Sequence, residues 1–160
     1  MLKAIQRFYQ TRIQPQSEAI TDKEATEHAL MLATAALMLE VTRADKEDHP
    51  AEKEAVERAL TQVFSLSNAE RAELIGLADQ ETREATSLYQ FTHLIDKGFS
   101  QDQKRHVVEL LWRVVFADRV MEKHEEQLVR RVAGLIHVPH KAFIDAKVRV
   151  KRELEEAGEL

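Results

Sequence analysis

The segment LMLEVTRADKEDHPAEKEAVERAL, Leu37 to Leu60, decides the fold because it holds a helix end, an acidic loop and a helix start. Apolar residues recur at helical spacing up to Ala44, and four charged residues and a histidine follow. Pro50 then stands where the first turn of a helix tolerates proline. The segment therefore predicts two helices joined by a short acidic loop.

The same pattern recurs 73 positions later (118 − 45 = 73), in LLWRVVFADRVMEKHEEQLVRRVA, Leu110 to Ala133. The two segments align without a gap and share identical residues at seven pairs of positions. These pairs are Leu37 and Leu110, Val41 and Val114, Ala44 and Ala117, Asp45 and Asp118, Glu52 and Glu125, Val56 and Val129, and Arg58 and Arg131. Any two packed helices share apolar positions, but packing does not require matching acids at the loop edges. We therefore expect an internally duplicated helix–loop–helix unit.

Composition supports an all-α fold in one domain. The 160 residues are 44% hydrophobic, with four glycines and three prolines, so helix formers dominate and turn residues are scarce. Capping boxes at Thr21 with Glu24, Ser67 with Glu70 and Ser100 with Gln103 mark helix starts. The predicted helices span 2–13, 22–44, 50–65, 68–80, 87–97, 101–117, 122–136 and 139–156. We expect an N-terminal helix and linker over 1–20 and a helical domain over 21–160.

Several classes of function are disfavoured. The chain has no cysteine, which excludes disulfides and thiolate zinc sites, and its net charge of −5 disfavours a nucleic-acid partner. The longest apolar run, Ala29 to Val41, is too short to cross a bilayer, so a cytoplasmic protein is expected. The sequence also lacks H-E-x-x-H, a Gly-rich phosphate loop and a recognisable Ser-His-Asp arrangement.

The two acidic loops suggest a metal site. Asp45 and Glu52 are seven residues apart, as are Asp118 and Glu125, and four carboxylates brought together would suit Ca²⁺ or Mg²⁺ better than Zn²⁺. Further ligands could come from His49 and Glu122. The alternative needs no metal ion. The two glutamates would then complement the positive N-terminal ends of helices, and Lys46 and Arg119 would neutralise the aspartates that precede them.

Three stretches resemble the tellurite-resistance TerB family: ALMLEVTRADKEDHPAEKEAVERAL, LYQFTHLI and LLWRVVFADRVMEKHEEQLVRRVAGLIHVPHKAF. The resemblance covers about Thr21 to Arg149. It implies an all-helical bundle of duplicated units, with an acidic cluster that binds a divalent cation at the positions of Asp45, Glu52, Asp118 and Glu125. It also implies a non-catalytic role in bacterial stress-response complexes, at membranes or with chaperones. Lys46 and Arg119 depart from the glycine that family members usually carry after the aspartate.

The N-terminal segment MLKAIQRFYQTRI is amphipathic, with Leu2, Ile5, Phe8 and Tyr9 opposed to basic residues. Such a segment either covers the protein's own core or docks on a protein partner or on the inner membrane. A homo-oligomer is also compatible with the sequence.

The expected function is a binding or scaffold module tuned by a divalent cation. One alternative is a metal-independent adaptor for a protein or membrane partner. A second is a metal-dependent hydrolase that uses the same acids with His49 or His124.

Overall fold

The computed structural model describes residues 7–13, 23–44, 50–64, 66–81, 87–117 and 126–159. Within these ranges a short π-helical segment, Tyr9–Ile13, precedes seven α-helices, and there is no strand, which confirms the all-α prediction. The helices are α1 (Lys23–Ala44), α2 (Pro50–Phe64), α3 (Asn68–Glu81), α4 (Ser87–Gly98), α5 (Gln101–Ala117), α6 (Glu126–Leu135) and α7 (His140–Glu156). None of these helices combines the length and the apolar composition needed to span a membrane.

Two helices, α1 and α5, form the centre of the bundle. α1 packs against the N-terminal segment, α2, α3, α4 and α5, and α5 also packs against α2, α6 and α7. Every side chain of α1 from Ala29 to Leu39 is buried except the half-buried Met31. The one polar member of that run, Thr34, satisfies its hydroxyl by donating to the Leu30 carbonyl at 2.7 Å. A helix that is apolar all round can be stable only when it is enclosed in this way.

Local capping explains where the helices begin. The Ser67 hydroxyl accepts a hydrogen bond from the Glu70 amide at 3.1 Å, and the Glu70 carboxylate accepts one from the Ser67 amide at 3.2 Å. Ser100 and Gln103 exchange the same two bonds at 3.1 and 2.9 Å. Both predicted capping boxes are therefore confirmed, because each satisfies backbone donors that a helix start leaves unpaired. The third box starts at Thr21, outside the described residues.

The predicted helix bounds agree with the structure to within one residue for α1 to α5 and for α7. The start predicted for α6 and the predicted domain boundary after residue 20 lie outside the described residues. The N-terminal segment differs from the predicted α-helix, because Tyr9–Ile13 forms a π-helical turn. Its wider turn places Phe8 and Ile13, five residues apart, on one face, and both are buried.

Gly98 ends α4, as predicted, and also allows a close approach that the sequence does not reveal. A Cβ built on Gly98 would lie 1.9 Å from the hydroxyl oxygen of Tyr9, a side chain that is 4% exposed. The buried tyrosine ring packs beside Phe99, with ring centroids 6.4 Å apart, so it has little room to move away.

We expect Gly98→Ala to lower the free energy of unfolding by about 1–3 kcal/mol through this overlap. Gly76→Ala is the matched control, because nothing lies within 4 Å of a Cβ at that helical position. It should raise stability by about 0.5–1 kcal/mol from helix propensity. Urea unfolding of both variants measures the two effects, and equal values for the two would contradict the Tyr9 contact.

Candidate functional site

Among the residues predicted to bind a cation, Glu52 alone lies in the described part of the chain. Glu52 is the third residue of α2, in its first turn as predicted. The other predicted ligands, Asp45, His49, Asp118, Glu122 and Glu125, lie outside the described residues. What the structure defines is the helices that bound the two loops: α1 ends at Ala44 before the first, and α5 ends at Ala117 before the second.

A lysine of α7 pairs with the first residue of α6, the helix that follows the second acidic loop in sequence. The Lys147 ammonium donates to the carboxylate of Glu126, the first residue of α6, at 2.8 Å. The hydrogen bond and charge of Lys147 hold the pKa of the Glu126 carboxyl below its usual value. Glu126 is therefore satisfied by a lysine and does not need a metal ion.

The same lysine lies over a buried aromatic cluster. Its nitrogen is 5.3 Å from the centroid of the Trp112 ring, within the range of a cation–π interaction. Trp112 stacks on Phe116 at 5.5 Å and tilts against Phe143 at 5.3 Å. Its indole nitrogen is buried and finds no hydrogen-bond acceptor in the described part of the chain. The cluster fixes α7 against α5 directly behind the helix end that leads into the second loop.

A second ion-pair cluster joins α4, α5 and the α6–α7 junction. The ammonium of Lys104, a residue only 4% exposed, donates to Asp96 at 2.5 Å, and His137 Nδ1 approaches the same carboxylate at 3.1 Å. The hydrogen bond from Lys104 is the main cause of a lowered Asp96 pKa, and the hydrogen bond from His137 adds to it.

His137 also terminates α6. Its φ of 62° is left-handed, its amide donates to the Gly134 carbonyl at 3.2 Å, and the Val138 amide donates to the Ala133 carbonyl at 2.8 Å. These two bonds form a Schellman motif with histidine where glycine is usual. His137 thus caps the end of α6 through its backbone while its exposed side chain contacts Asp96.

A charged groove of about 500 Å³ runs between α5 and α7. Its lining comprises Asp102, Arg105, His106, Glu109, Ala142, Asp145, Ala146 and Arg149. Arg105 pairs with Asp102, and Arg149 pairs with Glu109 and with Glu153. The arginines of this groove are therefore already paired with carboxylates of the same chain.

His106, which lines this groove from α5, also contacts α1. Its Nε2 lies 2.8 Å from the Glu27 carboxylate of α1, and its Nδ1 lies 3.5 Å from Glu109. The two carboxylates face opposite nitrogens of one ring, so the three groups do not converge on a common point. Within the described ranges no three histidine, aspartate or glutamate side chains are arranged to hold a metal ion.

The N-terminal residues predicted to bind a partner divide into two groups. Phe8 and Tyr9 are 6% and 4% exposed and belong to the protein's own core, packed on the side of α1. In this structure neither presents a surface to a partner. Leu2 and Ile5 lie outside the described residues.

The ion pairs of Lys147 and Lys104 were not foreseen from the sequence. Each lysine meets its acid only after two helices pack, across 21 residues for Lys147 and eight for Lys104, and neither separation is the i, i+3 or i, i+4 of a contact within one helix. Lys104 lies in the polar stretch QDQKRH at the start of α5, before the buried run that begins at Val107, so no local signal marked it as buried.

The family model of tellurite resistance protein TerB matches residues 31–148. This range contains both acidic loops and extends from within α1 to within α7. No curated protein and no solved structure matches the chain.

Proposed function

Since the chain belongs to the TerB family, we propose that it is a non-catalytic binding module in which a divalent cation links two helix–loop–helix units. The proposed ligands are Asp45, Glu52, Asp118 and Glu125, with His49 and Glu122 available to complete the coordination. Ca²⁺ and Mg²⁺ fit this oxygen-rich set better than Zn²⁺. The observation that carries the proposal is the family match, which spans both acidic loops.

The packing of the central helices supports the proposal. α1 and α5 are equivalent helices under the proposed duplication, they end at the matched residues Ala44 and Ala117, and they pack against each other. The contact between Glu27 and His106 joins their N-terminal halves. Helices arranged in this way favour loops that leave the pair on the same side.

Convergence of the loops would create a need for a cation. Two carboxylates about 4 Å apart repel each other by about 4 kcal/mol at an effective dielectric constant near 20. A divalent ion offsets this repulsion and ties the two units together. In this proposal the bound ion controls how firmly the two helix–loop–helix units are held together. The module binds a protein partner in a bacterial stress-response complex, in the cytoplasm or at the inner membrane.

Thermal unfolding with Ca²⁺, Mg²⁺, Mn²⁺ or Zn²⁺ tests the cation. A cation at a hundred times its dissociation constant adds about 2.7 kcal/mol to the free energy of unfolding, which raises the melting temperature by roughly 5–11 °C in a chain of this size. The Asp45→Ala/Asp118→Ala variant should fold and lose this shift. Glu156→Ala/Glu159→Ala removes the same charge from the exposed C-terminus and should keep it. A wild-type protein that ignores all four cations would refute the proposal.

A metal-independent adaptor is the second candidate, favoured by the Lys147–Glu126 pair. That pair neutralises an acid beside the second loop without a metal ion, and Lys46 and Arg119 would do the same for the two aspartates. A melting temperature unaffected by both EDTA and added cations is the result expected of this adaptor.

A further inference from the structure

The outer face of α7 carries the only large apolar side chains that the described part of the chain exposes. Ile144 is 37% exposed and Val148 is 57% exposed, and their i, i+4 spacing places them side by side on one face of the helix. The opposite face of α7 is buried through Phe143, Val150 and other residues. The pair therefore lies on a surface that nothing in the described chain covers.

The charges of α7 divide between its flank and this outer face. On the flank, Lys147 pairs with Glu126, and Arg149 pairs with Glu109 and Glu153. On the outer face, five exposed charged residues have no ion-pair partner among the described residues. They are Lys141, Asp145, Lys151, Arg152 and Glu155.

Two of these residues, Lys141 and Glu155, are placed symmetrically about Val148. Each is seven residues from it, close to two helical turns, so both lie on the same side of the helix as Val148. An antiparallel copy of the helix, related by a twofold axis at Val148, would therefore place Lys141 of each copy beside Glu155 of the other. Asp145 and Arg152 lie on one edge of this face and Ile144 and Lys151 on the other edge, so Asp145 would face Arg152 of the other copy and Ile144 would pack on the aliphatic stem of its Lys151.

We propose that the outer face of α7 is a homodimer interface, in which two copies pack α7 against α7 in antiparallel orientation about Val148. Lys141 of each copy pairs with Glu155 of the other, and the two Val148 side chains meet on the axis. The acids within this face and the net charge of −5 make a second copy a better fit than an anionic membrane surface. One helix from each copy makes a small interface, so the association is weak and depends on concentration.

Sedimentation equilibrium of the full chain, from about 10 µM to about 1 mM, tests the dimer. The wild-type protein should show a monomer–dimer equilibrium that weakens with added salt. Val148→Asp should be monomeric because it places two like charges on the axis. Lys141→Glu and Glu155→Lys should each weaken association at least about tenfold, because each creates two like-charge pairs, and a tenfold loss corresponds to about 1.4 kcal/mol.

Charge reversal identifies the antiparallel arrangement. Lys141→Glu/Glu155→Lys should dimerise as the wild type does, and an equimolar mixture of the two single variants should form a heterodimer. The two positions are 14 residues apart, roughly 21 Å along one helix, so they cannot restore each other within one copy. Circular dichroism melts verify that each variant is folded. A wild type that stays monomeric at about 1 mM, or a double variant as weak as the single ones, would overturn the proposal.

Discussion

Asp96→Ala is expected to lose about 3 kcal/mol of the free energy of unfolding, because it leaves the buried ammonium of Lys104 without its acid. The Lys104 side chain is 5% exposed and its nitrogen lies 2.5 Å from Asp96. The expected loss is at the lower end of the range for a broken buried ion pair, since Asp96 itself is 22% exposed. In a chain of this size the melting temperature should fall by roughly 6–12 °C.

The matched variant Lys104→Met separates a desolvated charge from a general packing defect. Methionine has a similar volume and no charge, and the partly exposed Asp96 keeps its contact with His137 at 3.1 Å. We expect Lys104→Met to change stability by less than about 1.5 kcal/mol. The double variant Asp96→Ala/Lys104→Met should then be more stable than Asp96→Ala alone. If adding Lys104→Met rescues nothing, the unpaired ammonium is not the cause of the loss.

Acid should narrow the difference in the free energy of unfolding between wild type and Asp96→Ala. Lys104 and His137 lower the pKa of folded Asp96 below its usual value of 3.8. The stabilisation from ionised Asp96 is therefore complete above pH 3.8 and disappears as the pH falls through the lower folded value. Urea unfolding of both proteins between pH 7 and pH 2 should show a gap in the free energy of unfolding that narrows in this acid range.

Local signals explain why the helices were predictable. The first backbone donors of α3 and α5 are satisfied by side chains only three residues away, in the pairs Ser67 with Glu70 and Ser100 with Gln103. Both helix starts can therefore be predicted from a short stretch of sequence. The enclosed position of α1 was equally predictable, because its run from Ala29 has no polar face to present to water.

Tertiary contacts set the limit of this prediction. Gly98 was recognised as a helix end, but its need to remain glycine comes from Tyr9, which lies 89 positions away (98 − 9 = 89). The N-terminal helix was expected to be regular, and the π-helical turn at Tyr9–Ile13 instead adapts its apolar residues to α1. No local pattern encodes either contact.

The residues of the candidate site also differ in whether their positions follow from local sequence or from tertiary contacts. The first-turn position of Glu52 follows from Pro50 and the start of α2, which are local features. The pairing of Glu126 with Lys147 depends on how α7 packs beside α6, and it removes one acid from the set available to a cation. Sharing of one ion by the four predicted ligands requires the two loops to approach each other, which is a long-range property that no local pattern encodes.

Trp112→Ala is expected to lower the free energy of unfolding by about 3–5 kcal/mol, because it opens a large cavity where α5 meets α7. The indole is 1% exposed, and its removal eliminates the contacts with Phe116, Phe143 and Lys147. Lys147 would also lose the ring that orients it towards Glu126. Urea unfolding followed by far-ultraviolet circular dichroism is the suitable measurement, since the chain contains a single tryptophan and the variant has no indole fluorescence.

Trp112→Phe distinguishes ring packing from the role of the indole nitrogen. A phenyl ring retains most of the stacking on Phe116, and it removes a buried N–H that has no acceptor among the described residues. An unsatisfied buried donor costs about 1–3 kcal/mol, so its removal should offset part of the lost volume and hold the total cost below about 2 kcal/mol. If Trp112→Phe proves as costly as Trp112→Ala, removal of the buried N–H does not offset the lost volume, and the indole nitrogen is not an unsatisfied donor.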